Sequence, residues 1–402
     1  MSPTRTPALP RQVDAVILGG GAGGLSLAAH LVAGGWADRR VLVVDDGLHP
    51  DRSWAYWSRG DGLLDPAASP GSTRLRVDGP GGEQVVALDE FRYRTLTGAQ
   101  LRGASDRLAT GAPGFTRVRG TVVRIDEHPT APGVLISRPG PGDPQLASVS
   151  ARWVFDSTGV APGPALPAPR AGLRFLGHHV VTDHDAFDPT TPTLMDFRTD
   201  QSRGVAFVYV LPTSARTALV EYTRFASWPA DRTASRDREL GEHVDTYLRR
   251  QLGIDAFRVV GSEAGAIPLV AAAPPGPRGA VVRIGTPAGM VKASTGYGFG
   301  RIQRHSAAIA RSLTRHGHPH DVPGPGRWHR SLDALLLEVV RDDPTTMPAV
   351  FTRLFAANPG DAVLAFLDET ASMRQELGLY RSLPIAPFRR AVTRRVTRRP
   401  RA

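Results

Sequence analysis

VDAVILGGGAGGLSLAAHL, residues 13–31, is the stretch whose reading decides the fold. Val13, Ala15, Val16, Ile17 and Leu18 make an apolar run suited to a strand buried on both faces. The run passes into Gly19-x-Gly21-x-x-Gly24, after which Leu25, Leu27, Ala28, Ala29 and Leu31 open a helix. Strand, glycine turn and helix in that order form the dinucleotide-binding fingerprint. Gly19 permits the tight turn, Gly21 lets a pyrophosphate approach the backbone, and Gly24 lets helix and strand pack closely. The helix N-terminus adds unpaired N–H groups and a partial positive charge for the phosphates. A second strand within RRVLVVDD (39–46) ends in Asp45, whose carboxylate can accept a hydrogen bond from a ribose hydroxyl.

The fingerprint alone does not separate NAD from FAD; later segments favour FAD. RVRGTVVRI (117–125) reads as a further strand, and ARWVFDSTG (151–159) as another that ends at Gly159. GAVVRIGTPAGMVKASTGYGFGRIQ (279–303) repeats the order of strand, glycine and helix. A distant strand–helix junction returning to one site is how two-domain flavoproteins reach the ribityl chain and the flavin ring. A plain NAD-binding domain with an unrelated C-terminal half is the alternative.

The chain of 402 residues is long enough for two or three domains, and 41% hydrophobic with 22% charged residues is ordinary globular composition. It has no cysteine, which excludes disulfides, iron–sulfur clusters, thiolate zinc sites and a cysteine nucleophile. The opening MSPTRTPALPRQ has no apolar core of a secretory signal, and no stretch approaches the ~20 apolar residues of a spanning helix. A cytoplasmic protein is expected. The net charge is +11, almost wholly arginine, since Lys292 is the only lysine. FRRAVTRRVTRRPRA (388–402) concentrates that charge, and peripheral contact with an anionic membrane surface is the expected use. No nucleic-acid-binding motif accompanies it. The histidines, including HGHPH (316–320), show no paired ligand spacing, so no metal is expected.

ALVEYTRFA (218–226) reads as a strand with one odd residue. Alternation puts Glu221 on a face with Leu219, Thr223 and Phe225, and puts Val220, Tyr222 and Arg224 on the other. A carboxyl on the more apolar face is either solvated at an edge or kept where water is scarce.

Several colinear segments decide between these. DRSWAYW (51–57), FRYRTLTGAQL (91–101), FLGHHVVTDHDAFDPTTPTLMDFR (175–198), FVYVLPTSARTALVEYTRF (207–225), EAGAIPL (263–269), KASTGYGFGRI (292–302) and the closing FLDET…LPIAPF follow one another in order. In these the chain resembles the FAD-dependent lycopene cyclases. The resemblance implies an α/β, Rossmann-type two-domain FAD-binding fold of the glutathione-reductase kind, with an inserted β-rich substrate domain and C-terminal helices. It implies non-redox, proton-initiated ring closure of an acyclic carotenoid or related polyprenyl substrate such as lycopene. It also implies FAD in its reduced form and NAD(P)H as reductant. The candidate catalytic acid falls on Glu221, with Tyr222 standing where many members carry a second acidic residue.

The residues expected to hold FAD are Gly19, Gly21, Gly24, Asp45, Arg52, Val122, Gly159, Gly285, Gly289, Thr295, Gly296 and Tyr297. Trp54, Tyr56, Trp57, Asp196 and Tyr222 are expected at the substrate pocket, with core packing the alternative for each aromatic. An Asp196–Arg198 ion pair that only orders the strands is the alternative for that pair. FAD-domain segments are expected at 11–170 and 276–318, the substrate domain at 171–275, helices at 327–390 and a basic tail at 391–402. A flavin-dependent monooxygenase on the same fold is the rival. Against it, Ile284-Gly285-Thr286-Pro287 lacks the Gly-Asp pair common in such enzymes, and the halogenase Trp-x-Trp-x-Ile-Pro pattern is absent.

Overall fold

The apolar run at the N-terminus lies inside a seven-stranded sheet. The computed structural model describes residues 9–48, 51–139, 144–163, 165–229, 233–274, 276, 279–324 and 326–397. In it, β1 (Gln12–Leu18) is flanked by β2 (Val41–Asp45) and by β10 (Gln145–Asp156), both parallel to it. β7 (Phe115–Arg119) adds in parallel beyond β2, and β16 (Val281–Arg283) pairs in parallel with the last residues of β10. The first half of β10 pairs antiparallel with β9 (Gly133–Arg138), which pairs with β8 (Thr121–Asp126). RVRGTVVRI is therefore two strands rather than one, broken at Gly120.

Parity in β1 explains its two-sided burial. Ala15 and Ile17 pack with Leu27 and Leu31 of α1 (Ala22–Leu31) and with Ile309 and Leu313 of α4 (Phe299–His316). Val16 and Leu18, on the other face, pack with Ile125, Val134, Ile136 and Val149 of the meander. α2 (Gly98–Ala109) starts at a capping box, in which Thr97 Oγ1 accepts from the Gln100 N–H and Gln100 returns a bond to the Thr97 N–H.

A second seven-stranded sheet has the order β15-β11-β14-β13-β12-β4-β5. Its strands are β4 (Arg74–Asp78), β5 (Gln84–Ala87), β11 (Ala171–Val181), β12 (Thr193–Asp196), β13 (Ala206–Ser214), β14 (Thr217–Ser227) and β15 (Arg258–Leu269). β3 (Ser53–Ser58) and β6 (Arg92–Thr97) form a separate ribbon. Residues 74–87 thus belong to the sheet expected only from 171–275. Their partner β12 lies more than a hundred residues downstream, and no local pattern announces it.

The second sheet is covered on both faces. Ala218, Val220 and Tyr222 of β14 pack against Leu240, Val244, Tyr247 and Leu248 of α3 (Ala234–Gln251), a helix within the segment read as β-rich. Leu219 and Phe225 belong to the opposite cluster, which continues into α5 (Arg327–Asp342), α6 (Met347–Ala356), α7 (Gly360–Leu367), α8 (Met373–Ser382) and α9 (Ile385–Thr397). AVLAFLDETASMRQEL (362–377), apolar at helical spacing within the helices expected at 327–390, is not one helix. Glu369 turns to φ 61° after α7, and a Ser372–Gln375 capping box restarts the chain as α8. The expected tail from 391 is, as far as Thr397, the end of α9; residues 398–402 lie outside the described residues.

Candidate active site

One cavity of about 660 Å³ lies where the C-terminal ends of the parallel strands meet the second sheet. Open α/β sheets bind ligands at this end of their strands, where loops leave in both directions. From the first sheet come Gly19–Gly23, Val44–Asp46, Gly120–Val122, Ser157, Thr158 and Gly285. From the second come Leu173, Phe175, Tyr209, Leu211, Leu219, Glu221, Thr223 and Ala266–Pro268. The segment 295–299 and Arg52–Ala55 complete the wall.

The glycine turn is built for close approach. A Cβ on Gly24 would fall 1.9 Å from the Gly19 carbonyl oxygen, so only glycine lets α1 start there. Nothing lies within 4 Å of the Cβ position of Gly21, which faces open space at the start of α1. The Asp45 carboxylate lies across Gly20 and accepts from the Gly47 N–H at 3.2 Å. Gly23 abuts Gly285, the added Cβ standing 3.1 Å from Gly285 Cα, so the late glycine turn reaches the first. Asp156, fully buried at the end of β10, accepts from the N–H groups of Thr158, Gly159 and Ala161 and shapes the neighbouring turn.

Glu221 stands opposite this turn. Its residual accessibility is to the cavity it lines. Burial pushes its carboxyl up to about 8, and the charge of Glu263 adds to the rise. A hydrogen bond donated by Thr223 Oγ1 to Glu221 Oε1 (3.1 Å) and the Arg52 guanidinium oppose the shift without cancelling it. The group is a carboxylic acid at neutral pH, able to give up a proton. Tyr209 lies directly across the ladder from Glu221, and its hydroxyl is 3.5 Å from that of Tyr297.

Of the residues expected around the cofactor, Gly19, Gly21, Asp45, Arg52, Val122, Gly285, Thr295, Gly296 and Tyr297 line the cavity. Gly24 serves behind it, in the contact with Gly19. Gly159 and Gly289 do not line it: the first faces Pro287, the second Pro274 and Leu166. Among the expected pocket residues only Trp54 lines the main cavity. Tyr56 and Trp57 line a small adjoining recess. The Tyr56 hydroxyl donates to Asp65 at 2.9 Å, and its ring packs on Phe299. Trp57 meets Tyr297 edge-on at 5.0 Å.

Two pocket expectations are corrected. Tyr222 points away from the cavity and stacks on His243 of α3 at 4.6 Å, because neighbouring strand residues take opposite faces. Asp196 also lies away from it. It receives bonds from Arg198 and, at 2.6 Å, from the Tyr247 hydroxyl, while Arg198 also pairs with Asp78. The group ties β12, β4 and α3 together.

The sequence reading passed over Glu263 and Lys292. Glu263 opens EAGAIPL and is 2% exposed; its signal was a carboxyl inside another apolar strand of a family segment. Lys292 Nζ donates to Asp333 and to Glu369, each at 2.8 Å, and Arg301 also pairs with Glu369. Burial would raise the Glu369 carboxyl, but Lys292 and Arg301 outweigh it and hold it low. The cluster fastens the loop at 292–297 to α5 and to the α7–α8 link. Among the described residues, no group of three or more His, Asp or Glu is placed to hold a metal ion, and no helix is long and apolar enough to cross a membrane.

Two sheets, a glycine turn under α1 and one large cavity between them define a Rossmann-type flavoprotein fold. A geranylgeranyl bacteriochlorophyll reductase-like protein from Thermoplasma acidophilum matches with a TM-score of 0.60 at 14% identity, over 96% of this chain and 98% of that one. A flavin-dependent brominase matches with a TM-score of 0.60 at 14% identity, over 96% of this chain and 100% of its own. At such identity the likeness concerns the fold alone. Residues 14–393 match the family described as lycopene cyclase protein, and the chain belongs to that family. Lycopene beta-cyclase from Pseudescherichia vulneris is 34% identical over 131 residues, which span 31% of this chain and 32% of that relative's length.

Proposed function

We propose that this chain closes a ring at the end of an acyclic carotenoid such as lycopene, started by a proton from Glu221 and without net redox change. The observation that carries the proposal is a carboxyl, pushed up to about 8 by burial, that shares one cavity with the dinucleotide-type turn. The cradle fits FAD: Gly21 is open to a pyrophosphate, Asp45 stands at the end of β2 for a ribose, and the 295–297 segment lies across the cavity. Arg52, Val122 and Gly285 would complete the cofactor's surroundings. Reduced FAD, when bound, would supply negative charge beside a developing cation, and NAD(P)H would keep it reduced.

The residues of the chain do the rest. Glu221 gives its proton to the terminal double bond, a weak base that needs an acid kept un-ionised near neutral pH. The neighbouring double bond attacks the resulting cation, and loss of a second proton leaves the ring olefin. Leu173, Phe175, Leu211, Leu219 and Ile267 keep water from trapping the cation as an alcohol. The rings of Tyr209 and Tyr297 offer π-faces to it. An apolar substrate of this length resides in membrane, and the outer layer has features suited to reach it. α9 carries Arg389, Arg390, Arg394 and Arg395, while Trp328, Met373, Leu377 and Ile385 are exposed on the same helical layer. We therefore propose cytoplasmic, peripheral membrane contact through this layer.

The test is pigment analysis of a lycopene-accumulating bacterium that expresses the chain. A cyclic carotene is the expected product, and one ring or two shows how many ends fit. Unchanged lycopene beside soluble, FAD-loaded protein would refute the proposal.

A further inference from the structure

Glu221 does not stand alone on its sheet. Gly177 of β11 pairs with Glu221 of β14 on one side and with Glu263 of β15 on the other. Residues level across neighbouring strands share a face, so the three positions form a row whose middle member has no side chain. A Cβ on Gly177 would lie 3.1 Å from Glu221 Cβ and 2.7 Å from Leu219 Cδ1. The missing side chain at Gly177 leaves that place to Leu219 Cδ1 and to the Glu221 methylenes, so Glu221 leans over Gly177 toward Glu263, from α-carbons roughly 10 Å apart across two strand spacings.

Glu263 does not line the cavity, and both of its oxygens are engaged. Oε2 accepts from the Ser53 N–H at 2.7 Å, and Oε1 meets Nε2 of His179 at 3.1 Å. His179 lies two residues beyond Gly177 on the same face of β11, with its side chain 38% exposed. A line of ionisable groups thus runs from solvent at His179, through buried Glu263, to Glu221 on the far side of Gly177. The other charged or titratable groups around it include His178, whose charge and that of His179 oppose one another, Asp51, which favours the imidazolium, Arg52, which attracts the Glu221 anion, and the phenols of Tyr93, Tyr209 and Tyr297.

The chemistry proposed for Glu221 leaves it as a carboxylate after each turnover, while the proton lost from the ring goes to another base. With cofactor and substrate seated in the cavity, that side of Glu221 would be filled by them. We infer that Glu263 and His179 are positioning residues that return the proton to Glu221. The His179 imidazolium passes a proton to Glu263, Glu263 passes one over Gly177 to the Glu221 carboxylate, and His179 takes a replacement from solvent. No electrons move; one proton enters at His179 for each one Glu221 gives up, and the proton lost from the ring leaves to solvent through its own base, so no proton is consumed in net. This inference rests on Glu221 being the acid.

The 402-residue chain with dithionite-reduced FAD is assayed on lycopene in liposomes, as wild type, His179→Ala and Glu263→Gln. Glutamine keeps an acceptor for the Ser53 N–H. Both variants should lose about a hundredfold in kcat with the KM for lycopene unchanged. Imidazole in the buffer should restore His179→Ala and not Glu263→Gln. Wild-type turnover in both variants, or a His179→Ala loss that imidazole leaves untouched, would overturn the relay. Infrared titration of the Glu221 carboxyl in the FAD-loaded protein, assigned by its loss in Glu221→Gln, provides a readout independent of turnover. Glu263→Gln should lower that titration by about one pH unit, tenfold in the acid constant; an unmoved titration overturns the coupling. If wild type leaves lycopene unchanged, the proposed function fails and the relay with it; if wild type cyclises and both variants match it, the relay alone fails.

Discussion

Replacing Glu221 by glutamine separates what the carboxyl does for chemistry from what it costs the fold. The group titrates at about 8 in the folded chain against a reference of 4.5, a difference worth roughly 5 kcal/mol at 1.36 kcal/mol per unit. Between those two pH values the folded chain keeps the proton and the unfolded chain releases it. The native state then binds more protons, so its stability falls as pH rises through that window. The contribution is complete below pH 4.5 and lost above about 8. Glutamine cannot ionise, and its variant lacks this slope. Urea unfolding of both proteins at equal FAD concentration, at half-unit steps from pH 4.5 to 9, measures the difference directly. Glu221→Gln should gain on wild type by up to roughly 5 kcal/mol across the window and run parallel to it beyond. Wild-type cyclisation should fall as pH rises through about 8, while the variant binds FAD and forms no ring. Stability curves parallel throughout, or activity that climbs through pH 8, would refute an acid held protonated by burial.

Gly24→Ala should give protein without bound flavin, because the added Cβ falls 1.9 Å from the Gly19 carbonyl oxygen; flavin absorbance of the purified variant checks it. Lys292→Met strands Asp333 and Glu369 in a buried site with Arg301 as the remaining cation, and should cost about 3 kcal/mol in denaturant unfolding. Tyr222→Phe keeps the stack on His243 and should cyclise at the wild-type rate; a tenfold loss of kcat would contradict its place behind the sheet. With oxidised FAD and no reductant, ring closure should stop, and full turnover under those conditions would exclude the non-redox reduced-flavin mechanism.

The parts legible in the sequence are those in which neighbours along the chain act on one another. The β1–turn–α1 unit was readable because an apolar run, three glycines and a helix-forming segment need no distant partner to be understood. β14 was readable from its alternation, and the same alternation already assigned Tyr222 to the face opposite Glu221. The expectation of a pocket role for Tyr222 came from its place in the motif, and the pleat of the strand overrules it. The break at Glu369 was missed because apolar residues at helical spacing continue across it, whereas the turn there is held by Lys292 and Arg301 from other segments.

From the amino-acid order alone came the glycine turn, the family and the face of β14 on which Glu221 stands, since each is carried by short segments whose residue types are themselves the signal. Only the tertiary structure decided that β4 and β5 cross into the second sheet, that Asp196 ties strands rather than lines the cavity, and that Glu263 and His179 stand in register with Glu221. Those placements depend on which strands pair and in what register, and strand pairing is set by packing between segments far apart in the chain.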